Sequence, residues 1–383
     1  MRSATPSCAF APSDRRPDIQ DAPFFLFDPA EVRAAIDEFG AAFPGAGVYY
    51  AVKANYEPAV LRAVAEAGCG FEAASWPEVE ALLGLGIAPS RIIYGTAVKP
   101  RSHVRAAVRA GVDRFAADSI EEIAMLAEAA PGARVFVRVK ADDSHSVFQL
   151  NTKFGADRGS ALELLLQAKA LGLVPWGLSF NVGSQATRAT DWGDGLRSLV
   201  PIVHHLHRLG VELGIINLGG GFPAVYEGHP AIPLSEIARY VYAAASELPY
   251  PIELVVEPGR RIVANAITLF SNIVSRVARA DGTWLFLDCG VYNALFEALS
   301  CQGRTRYPVR RAGGQGAPPG PGLPFHLAGP TGDGLDVVAR DVMLPADMAV
   351  GDVLEFSNVG AYTLSLACNF NGFSPPPLRV LAR

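Results

Sequence analysis

Short apolar runs alternate with amphipathic stretches from about residue 48 to residue 256. Each apolar run is short and rich in aliphatic and aromatic residues, as buried strands are. We predict strands at 48–53, 70–74, 91–95, 113–116, 134–139, 175–181, 214–218 and 252–256. Between them, apolar residues recur at helical spacing. We predict helices at 57–67, 76–85, 101–111, 119–130, 159–171, 190–209 and 234–247.

Eight strands that alternate with helices over roughly 210 residues are typical of a parallel (β/α)8 barrel of the TIM type. A doubly wound open sheet would give the same alternation, so the strand count favours the barrel without excluding the open sheet. We expect the barrel to span residues 30–266.

The pattern changes after residue 266, where helical spacing becomes scarce and strands are predicted at 267–275, 283–287, 325–328, 353–356 and 378–381. We expect an antiparallel β-domain made of residues 267–383 together with 22–29, since a short strand at 24–27 precedes the first helix. Asp28 and Pro29 suit the N-cap and first position of that helix. Residues 1–21 are rich in Pro, Ser, Arg and Asp, and we predict that they are disordered.

Composition narrows the functional classes. The 383 residues are 50% hydrophobic, enough for a large core and more than one domain. The net charge is −5 without a Lys/Arg-rich run, so nucleic acid is not an expected partner. No apolar run is long enough to span a membrane, and the N-terminus does not resemble a signal peptide. The five cysteines show no metal-binding spacing, so we expect no metal and a cytoplasmic, reduced chain.

Lys53 ends the first predicted barrel strand, within Tyr50-Ala51-Val52-Lys53-Ala54-Asn55. Lysine is seldom buried without a partner, and burial that lowers its pKa makes it a neutral amine able to form a Schiff base. The alternative is a strand-end charge that reaches solvent.

Three glycines, Gly219, Gly220 and Gly221, follow the seventh predicted strand. In such barrels the loops after strands 7 and 8 commonly bind phosphate, and glycines let backbone N–H groups approach an anion. A tight turn is the alternative. Glu257 and Arg260 follow the eighth strand. Arg260 could add a charged fork to the phosphate and Glu257 could bind a protonated heterocyclic nitrogen, unless the two form an internal ion pair.

Further polar residues end other predicted strands. Asn181 and Ser184 follow the sixth strand, where Asn181 could lie against a cofactor and Ser184 could donate to a phosphate. Arg138 ends the fifth strand, with an ion pair to Glu72 on strand two as the alternative. In the β-domain, Asp333 could bind a cationic substrate group, and the Tyr362 hydroxyl could reach a phosphate.

In combination these motifs resemble a known family. The chain is similar, over roughly residues 23–383, to the group IV, fold-type III decarboxylases that use pyridoxal 5′-phosphate, and most similar to the ornithine decarboxylases among them. The segments that carry the resemblance are 50–55, 153–156, 219–223, 257–260, 329–336, 360–363 and 370–373.

The resemblance implies a role for each position. Lys53 would bind the cofactor aldehyde, and Glu257 would pair with the pyridine nitrogen. The phosphate would be held by Gly220, Gly221, Ser184, Arg260 and Tyr362. Glu72 and Arg138 would line the cofactor, and Gly219 and Asn181 would also belong to its site. The family forms homodimers with shared active sites, so Asp333 and Phe370 would come from the partner. The expected reaction is decarboxylation of an ornithine- or lysine-like L-amino acid to the amine and CO2, as in polyamine biosynthesis.

Three positions depart from the family pattern. Asn181 replaces a histidine that stacks on the ring, Gly332 replaces a cysteine thought to reprotonate the product, and Cys301 replaces an aspartate that binds the distal amine. Cys301 itself could then lie in the substrate pocket. The departures leave two alternatives open. One is a changed outcome, by decarboxylation-dependent transamination or oxidation, and the other is a non-catalytic homologue that binds a protein partner.

Overall fold

The structure is a computed structural model that describes residues 18–301, 304–313 and 322–382. Strands β1 to β18 are Phe24–Phe27, Gly47–Ala51, Gly70–Ala73, Ile92–Tyr94, Arg114–Ala117, Arg134–Arg138, Ser146–Phe148, Val174–Ser179, Ser184–Ala186, Ile215–Asn217, Glu253–Val256, Ile267–Arg279, Gly282–Leu287, Val309–Arg311, Gly322–Ala328, Val337–Pro345, Val353–Phe356 and Leu378–Val380. Helices α1 to α10 are Pro29–Ala42, Pro58–Glu66, Trp76–Gly84, Arg101–Arg109, Ile120–Ala129, Arg158–Ala170, Thr190–Arg208, Leu234–Ala245, Arg260–Val263 and Phe296–Ser300.

Eight parallel strands close into a barrel in the order β10-β11-β2-β3-β4-β5-β6-β8. Closure runs through β11 and β2, where Val255 pairs with Gly47. The structure therefore confirms the predicted barrel and excludes the doubly wound alternative. Because every strand runs in the same direction, the residues that follow their C-terminal ends lie at one mouth of the barrel.

Apolar side chains explain why these segments fold in this way. A separate cluster of buried apolar side chains comes from five of the barrel strands: Ile93 on β4, Ala116 on β5, Phe136 on β6, Ile215 on β10 and Val255 on β11. Helices α3 and α5 begin at serines whose side chains accept a backbone N–H, Ser75 from Glu78 and Ser119 from Glu122. Asp28 caps α1 by accepting from the N–H of Ala30, as its sequence predicts.

The second unit is a sheet in the order β14-β17-β12-β13-β15-β16, which β1 joins by pairing with β12. Most neighbours are antiparallel, as predicted, but β13 pairs with β15 and β1 with β18 in parallel, so the sheet is mixed. These parallel pairs join strands that are far apart in the chain, which residue periodicity does not reveal. The early strand lies in this sheet because its apolar residues pack against β12, with Phe24 stacked on Phe270.

The N-terminal prediction falls mainly outside the described residues, which begin at residue 18. Within the predicted disordered segment, Ile19–Asp21 form a 3-10 turn, and Asp21 accepts from Arg379 at 3.1 Å. These last residues are therefore ordered, in contrast to the prediction. Across the described ranges, no helix combines the length and apolar character that a membrane crossing needs.

Candidate active site

The C-terminal mouth of the barrel contains a cavity whose lining brings together most of the predicted site residues. It is lined by Ala51, Lys53, Leu150, Asn181, Gly183, Ser184, Gly220, Gly221, Phe222, Glu257, Gly259, Arg260 and Tyr362. A wider depression lies at the opposite end of the barrel, beside the start of β2 and β3. Most candidate site residues therefore lie at the C-terminal mouth, where parallel-barrel enzymes have their active sites.

Lys53 lies on a 3-10 turn, Val52–Ala54, that follows β2 directly. Its Nζ is 2.6 Å from Oε2 of Glu72, and the lysine side chain is 48% exposed. Burial lowers the pKa of Lys53, but the negative charge of Glu72 raises it further, so the pKa lies above its ordinary value. Glu72, which the strand pattern did not pair with Lys53, therefore stabilises the ammonium form of this side chain.

The turn that bears Lys53 is fixed by the β-domain. The side-chain amide of Asn55 donates to the carbonyl of Gly360 at 2.9 Å, and the N–H of Tyr362 donates to the carbonyl of Ala54 at 2.8 Å. Asn55 is fully buried. The segments 50–55 and 360–363 thus form one hydrogen-bonded unit, which brings Tyr362 beside Lys53.

Glu257 follows β11 and accepts a hydrogen bond from Nδ2 of Asn217 at 2.6 Å. Burial, together with the negative charge of Glu72, raises the pKa of Glu257 to about 7. The carboxyl group therefore retains a proton for part of the time at neutral pH. The alternative of an ion pair between Glu257 and Arg260 does not occur, because each of them binds another residue.

The glycine turn, Gly219 to Gly221, leaves room for an anion. Gly219 and Gly221 have φ of 67° and 93°, which favour glycine. A Cβ on Gly220 would lie 2.8 Å from the carbonyl oxygen of Glu257. In the described part of the chain, the N–H groups of Gly220 and Gly221 donate no hydrogen bond to a backbone or side-chain acceptor. With the Ser184 hydroxyl beside them, they are donors suited to a phosphate.

Arg260 lines the cavity and is also paired with a carboxylate behind it. Both terminal nitrogens bind Glu297, each at 2.6 Å from one carboxylate oxygen. Arg260 nevertheless lines the cavity beside Ser184, so its contribution to a phosphate site stays a prediction. The sequence analysis missed Glu297, because the short helix α10 gives no recognisable pattern and the two residues are 37 positions apart.

Arg138 and Asn181 meet at a third residue, Asn151, that the sequence analysis also missed. Asn151 accepts from Arg138 at 3.0 Å and donates to the carbonyl of Asn181 at 2.6 Å. Burial lowers the pKa of Arg138. Arg138 forms no ion pair with Glu72, so that alternative is wrong. The side chain of Asn181 accepts from the N–H of Gly183 at 2.8 Å, which fixes the loop after β8.

Two other predicted residues, Asp333 and Phe370, lie with Tyr292 in a second group on the β-domain, the distal cluster. The Tyr292 hydroxyl donates to Asp333 at 3.0 Å, and its ring lies 4.5 Å from that of Phe370. None of the three lines the cavity of the same chain. Cys301 joins neither group, since its side chain is fully buried and its thiol bonds to the Thr305 carbonyl. The structure therefore does not bring Cys301 into the pocket.

These groups fit pyridoxal phosphate. The cavity offers an amine for the aldehyde, unpaired N–H groups for the phosphate, and a buried carboxyl group of raised pKa for the ring nitrogen. A parallel barrel joined to a β-domain, with such a site at its mouth, defines the class of barrel enzymes that use this cofactor.

Comparison with known proteins specifies the family. Residues 29–264 match the family model of the pyridoxal-binding domain of pyridoxal-dependent decarboxylases, and the chain belongs to that family. It is therefore a pyridoxal phosphate-dependent amino-acid decarboxylase, a carboxy-lyase.

Similar proteins fall into the same group. Lysine/ornithine decarboxylase of Selenomonas ruminantium is 34% identical, covering 87% of this chain and 83% of the relative. Antizyme inhibitor 2 of Xenopus laevis is 32% identical, covering 93% and 80%. Among solved structures, the arginine decarboxylase of Paramecium bursaria Chlorella virus bound to agmatine superposes with a TM-score of 0.86 at 27% identity, covering 94% of this chain and 96% of that one.

Proposed function

We propose that this chain removes the α-carboxyl group of an L-amino acid with a distal cationic group, such as ornithine or lysine, and releases the amine and CO2. The observation that carries the proposal is that Lys53, which is paired with Glu72, and Glu257 line one cavity beside the glycine turn. Other activities within the family differ from this one in their substrate. The similar proteins are named as lysine, ornithine and arginine decarboxylases.

Each side chain has a proposed task. Lys53 would hold the aldehyde, and Glu257 the ring nitrogen. Ser184, Tyr362 and the N–H groups of Gly220 and Gly221 would hold the phosphate, with Gly219 shaping the turn. The side walls would be formed by Glu72, Arg138 and Asn181, and Arg260 would add a charged donor to the phosphate site beside Ser184.

When bound, the cofactor supplies an electron sink for the bonding pair that remains when CO2 leaves. Glu257 favours that role because its raised pKa keeps a proton at the buried end of the cavity. Glu72, 2.6 Å from the Lys53 Nζ, is placed to accept a proton from the ammonium, which must be neutral to act as a nucleophile.

The distal cluster suits recognition of a cationic substrate end. Asp333 offers a carboxylate held by the Tyr292 hydroxyl at 3.0 Å, beside the exposed ring of Phe370. Because this cluster does not line the cavity of its own chain, we propose a homodimer in which the distal cluster of one copy completes the cavity of the other.

A substrate screen tests the proposal. Purified protein with pyridoxal phosphate would be incubated with ornithine, lysine, arginine and diaminopimelate, and CO2 release and product mass would be followed together. We expect CO2 and the matching diamine from ornithine or lysine. Absence of CO2 from every amino acid would contradict the proposal.

Two alternatives have specific support. Gly332 stands where the family carries a cysteine, so an aldehyde product in the same screen would indicate decarboxylation-dependent transamination or oxidation. The similarity to antizyme inhibitor 2 supports a partner-binding role. Cofactor content separates that role from catalysis, because a protein that only binds a partner does not need the Lys53 site to be loaded.

A further inference from the structure

The carbonyl groups of the glycine turn are all engaged in hydrogen bonds. The N–H of Glu257 donates to the carbonyl of Gly219 at 2.8 Å, and the N–H of Ala186 donates to the carbonyl of Gly221 at 3.1 Å. These two bonds come from backbone groups, which are present whatever the side chains are. The first and last carbonyls of the turn are therefore held by the path of the chain itself.

The middle carbonyl of the turn is held by a side chain instead. Nε1 of Trp192 donates to the carbonyl oxygen of Gly220 at 3.1 Å. Trp192 lies in the first turn of α7, fully buried, and its ring is stacked on that of Phe222 with the ring centroids 4.8 Å apart. Packing therefore fixes the position of the indole, and a buried indole N–H needs an acceptor.

The peptide group between Gly220 and Gly221 links this carbonyl to the cavity. The group is planar and trans, so its C=O and N–H point in opposite directions. Because the indole holds the carbonyl, the N–H of Gly221 is directed away from Trp192. Both glycines line the cavity, and the N–H of Gly221 has no acceptor in the described part of the chain. The anchored carbonyl and the free donor thus belong to one rigid group.

We infer that Trp192 is a positioning residue for the cofactor phosphate, on which it acts only through the peptide group between Gly220 and Gly221. Glycine has wide backbone freedom, so this group would be free to rotate if its carbonyl lost the indole. Holding the N–H of Gly221 in place before the anion arrives avoids an ordering cost at binding. This inference rests on the proposed cofactor site.

The test measures the affinities of pyridoxal phosphate and of pyridoxal, which lacks the phosphate, by equilibrium dialysis against full-length protein stripped of cofactor. The dissociation constant of pyridoxal divided by that of pyridoxal phosphate isolates the phosphate contribution. Trp192→Phe keeps an aromatic ring beside Phe222 and removes the N–H. We expect the ratio to shrink about threefold to tenfold, because one hydrogen bond to the phosphate is weakened. Pyridoxal affinity itself should stay within about twofold.

Trp176→Phe is the matched control, because it removes the same atoms from a tryptophan on β8 whose ring packs against Phe136, with the centroids 6.1 Å apart. It should leave the ratio unchanged. If Trp192→Phe does not fold, 3-benzothienylalanine at position 192 keeps the fused ring and replaces its N–H by sulfur, and the ratio should shrink to the same extent. An unchanged ratio in the folded protein would overturn the inference, because Trp192 would then serve only the core.

A spectroscopic measurement distinguishes positioning from general destabilisation. In protein with isotope-labelled glycine, the Gly221 amide signal is identified by its absence in Gly221→Ala. Its proton resonance should move further downfield with pyridoxal phosphate than with pyridoxal, and this difference should be smaller in Trp192→Phe. An undiminished difference would contradict the inference. Both measurements follow binding and not CO2 release, so failure of the proposed reaction and failure of this inference would be seen separately.

Discussion

At the scale of single residues, Lys53 combines two properties that a substitution can separate. Its ammonium pairs with Glu72 at 2.6 Å, and its deprotonated amine is the proposed nucleophile. Lys53→Arg keeps a cation that can pair with Glu72 but cannot bind an aldehyde covalently. We expect the melting temperature of the variant to stay close to that of the wild type while CO2 release falls below detection. Residual turnover of a few per cent would contradict the role of Lys53.

Glu257 gives a pH-dependent prediction with a defined sign. Its pKa rises from an ordinary 4.5 to about 7 on folding, first because of burial. Between these values the folded state binds more protons than the unfolded state, so the free energy of unfolding falls as pH rises from 5 toward 8 and levels off above it. The loss for this group is about 2.5 kcal/mol.

The measurement is urea unfolding of the cofactor-free protein at pH 5 and pH 8, for the wild type and for Glu257→Gln. The variant lacks the titrating group, so the wild type should lose about 2.5 kcal/mol more than the variant over this interval. Equal losses in the two proteins would show that the Glu257 carboxyl is not perturbed by burial.

At the scale of elements, the glycine turn is the segment whose backbone geometry matters most to the site. Gly221 has φ of 93°, and a Cβ there would lie 2.8 Å from the carbonyl oxygen of Gly183. Gly221→Ala should cost about 2 kcal/mol or more of stability and weaken cofactor binding.

Gly332→Ala is the matched control for the glycine turn, because a Cβ at Gly332 meets nothing within 4 Å and its φ lies outside the left-handed region. It should change the melting temperature by less than about 2 °C. Cofactor titration and thermal unfolding of both variants give the comparison, and equal behaviour of the two variants would refute the special role of the turn.

The sequence predicted the strands and helices, because their apolar residues recur at regular spacing. It did not predict the side-chain contacts between residues far apart in the chain. All eight barrel strands could be read from apolar runs, and the N-cap Asp28 marked the start of α1. The polar residues at strand ends could be assigned to one mouth because parallel strands share a direction. The pairing of Arg260 with Glu297 could not, since it joins a loop to a five-residue helix 37 positions away.

Burial was the other property that the sequence did not reveal. Cys301 was expected in the pocket, yet its side chain is fully buried and bonded to a backbone carbonyl. Asn217 lies just before the glycine turn. As a polar residue at the end of a buried strand, it could have been recognised as a candidate site residue. Its contact with Glu257 depends on the neighbouring strand, and the order of strands is fixed only in the folded barrel.

At the scale of the whole molecule, the proposed dimer makes a complementation prediction. Lys53→Ala removes the barrel group and Asp333→Ala the distal group, so each homodimer should be inactive or severely impaired. In a mixed dimer, both defects fall in one cavity and the other cavity is intact. Mixing with subunit exchange should therefore restore about a quarter of wild-type activity. No recovery, despite exchange shown by native mass spectrometry, would contradict sharing.

The central claim is that one amine, that of Lys53, carries the pyridoxal phosphate. The direct measurement is reduction of the loaded protein with sodium borohydride, followed by proteolysis and mass mapping of the labelled peptide. We predict the pyridoxyl label on Lys53, in the peptide that contains Tyr50 to Asn55, and no label in Lys53→Arg. A label on another lysine, such as Lys153 or Lys99, or no label on the loaded protein, would contradict the account.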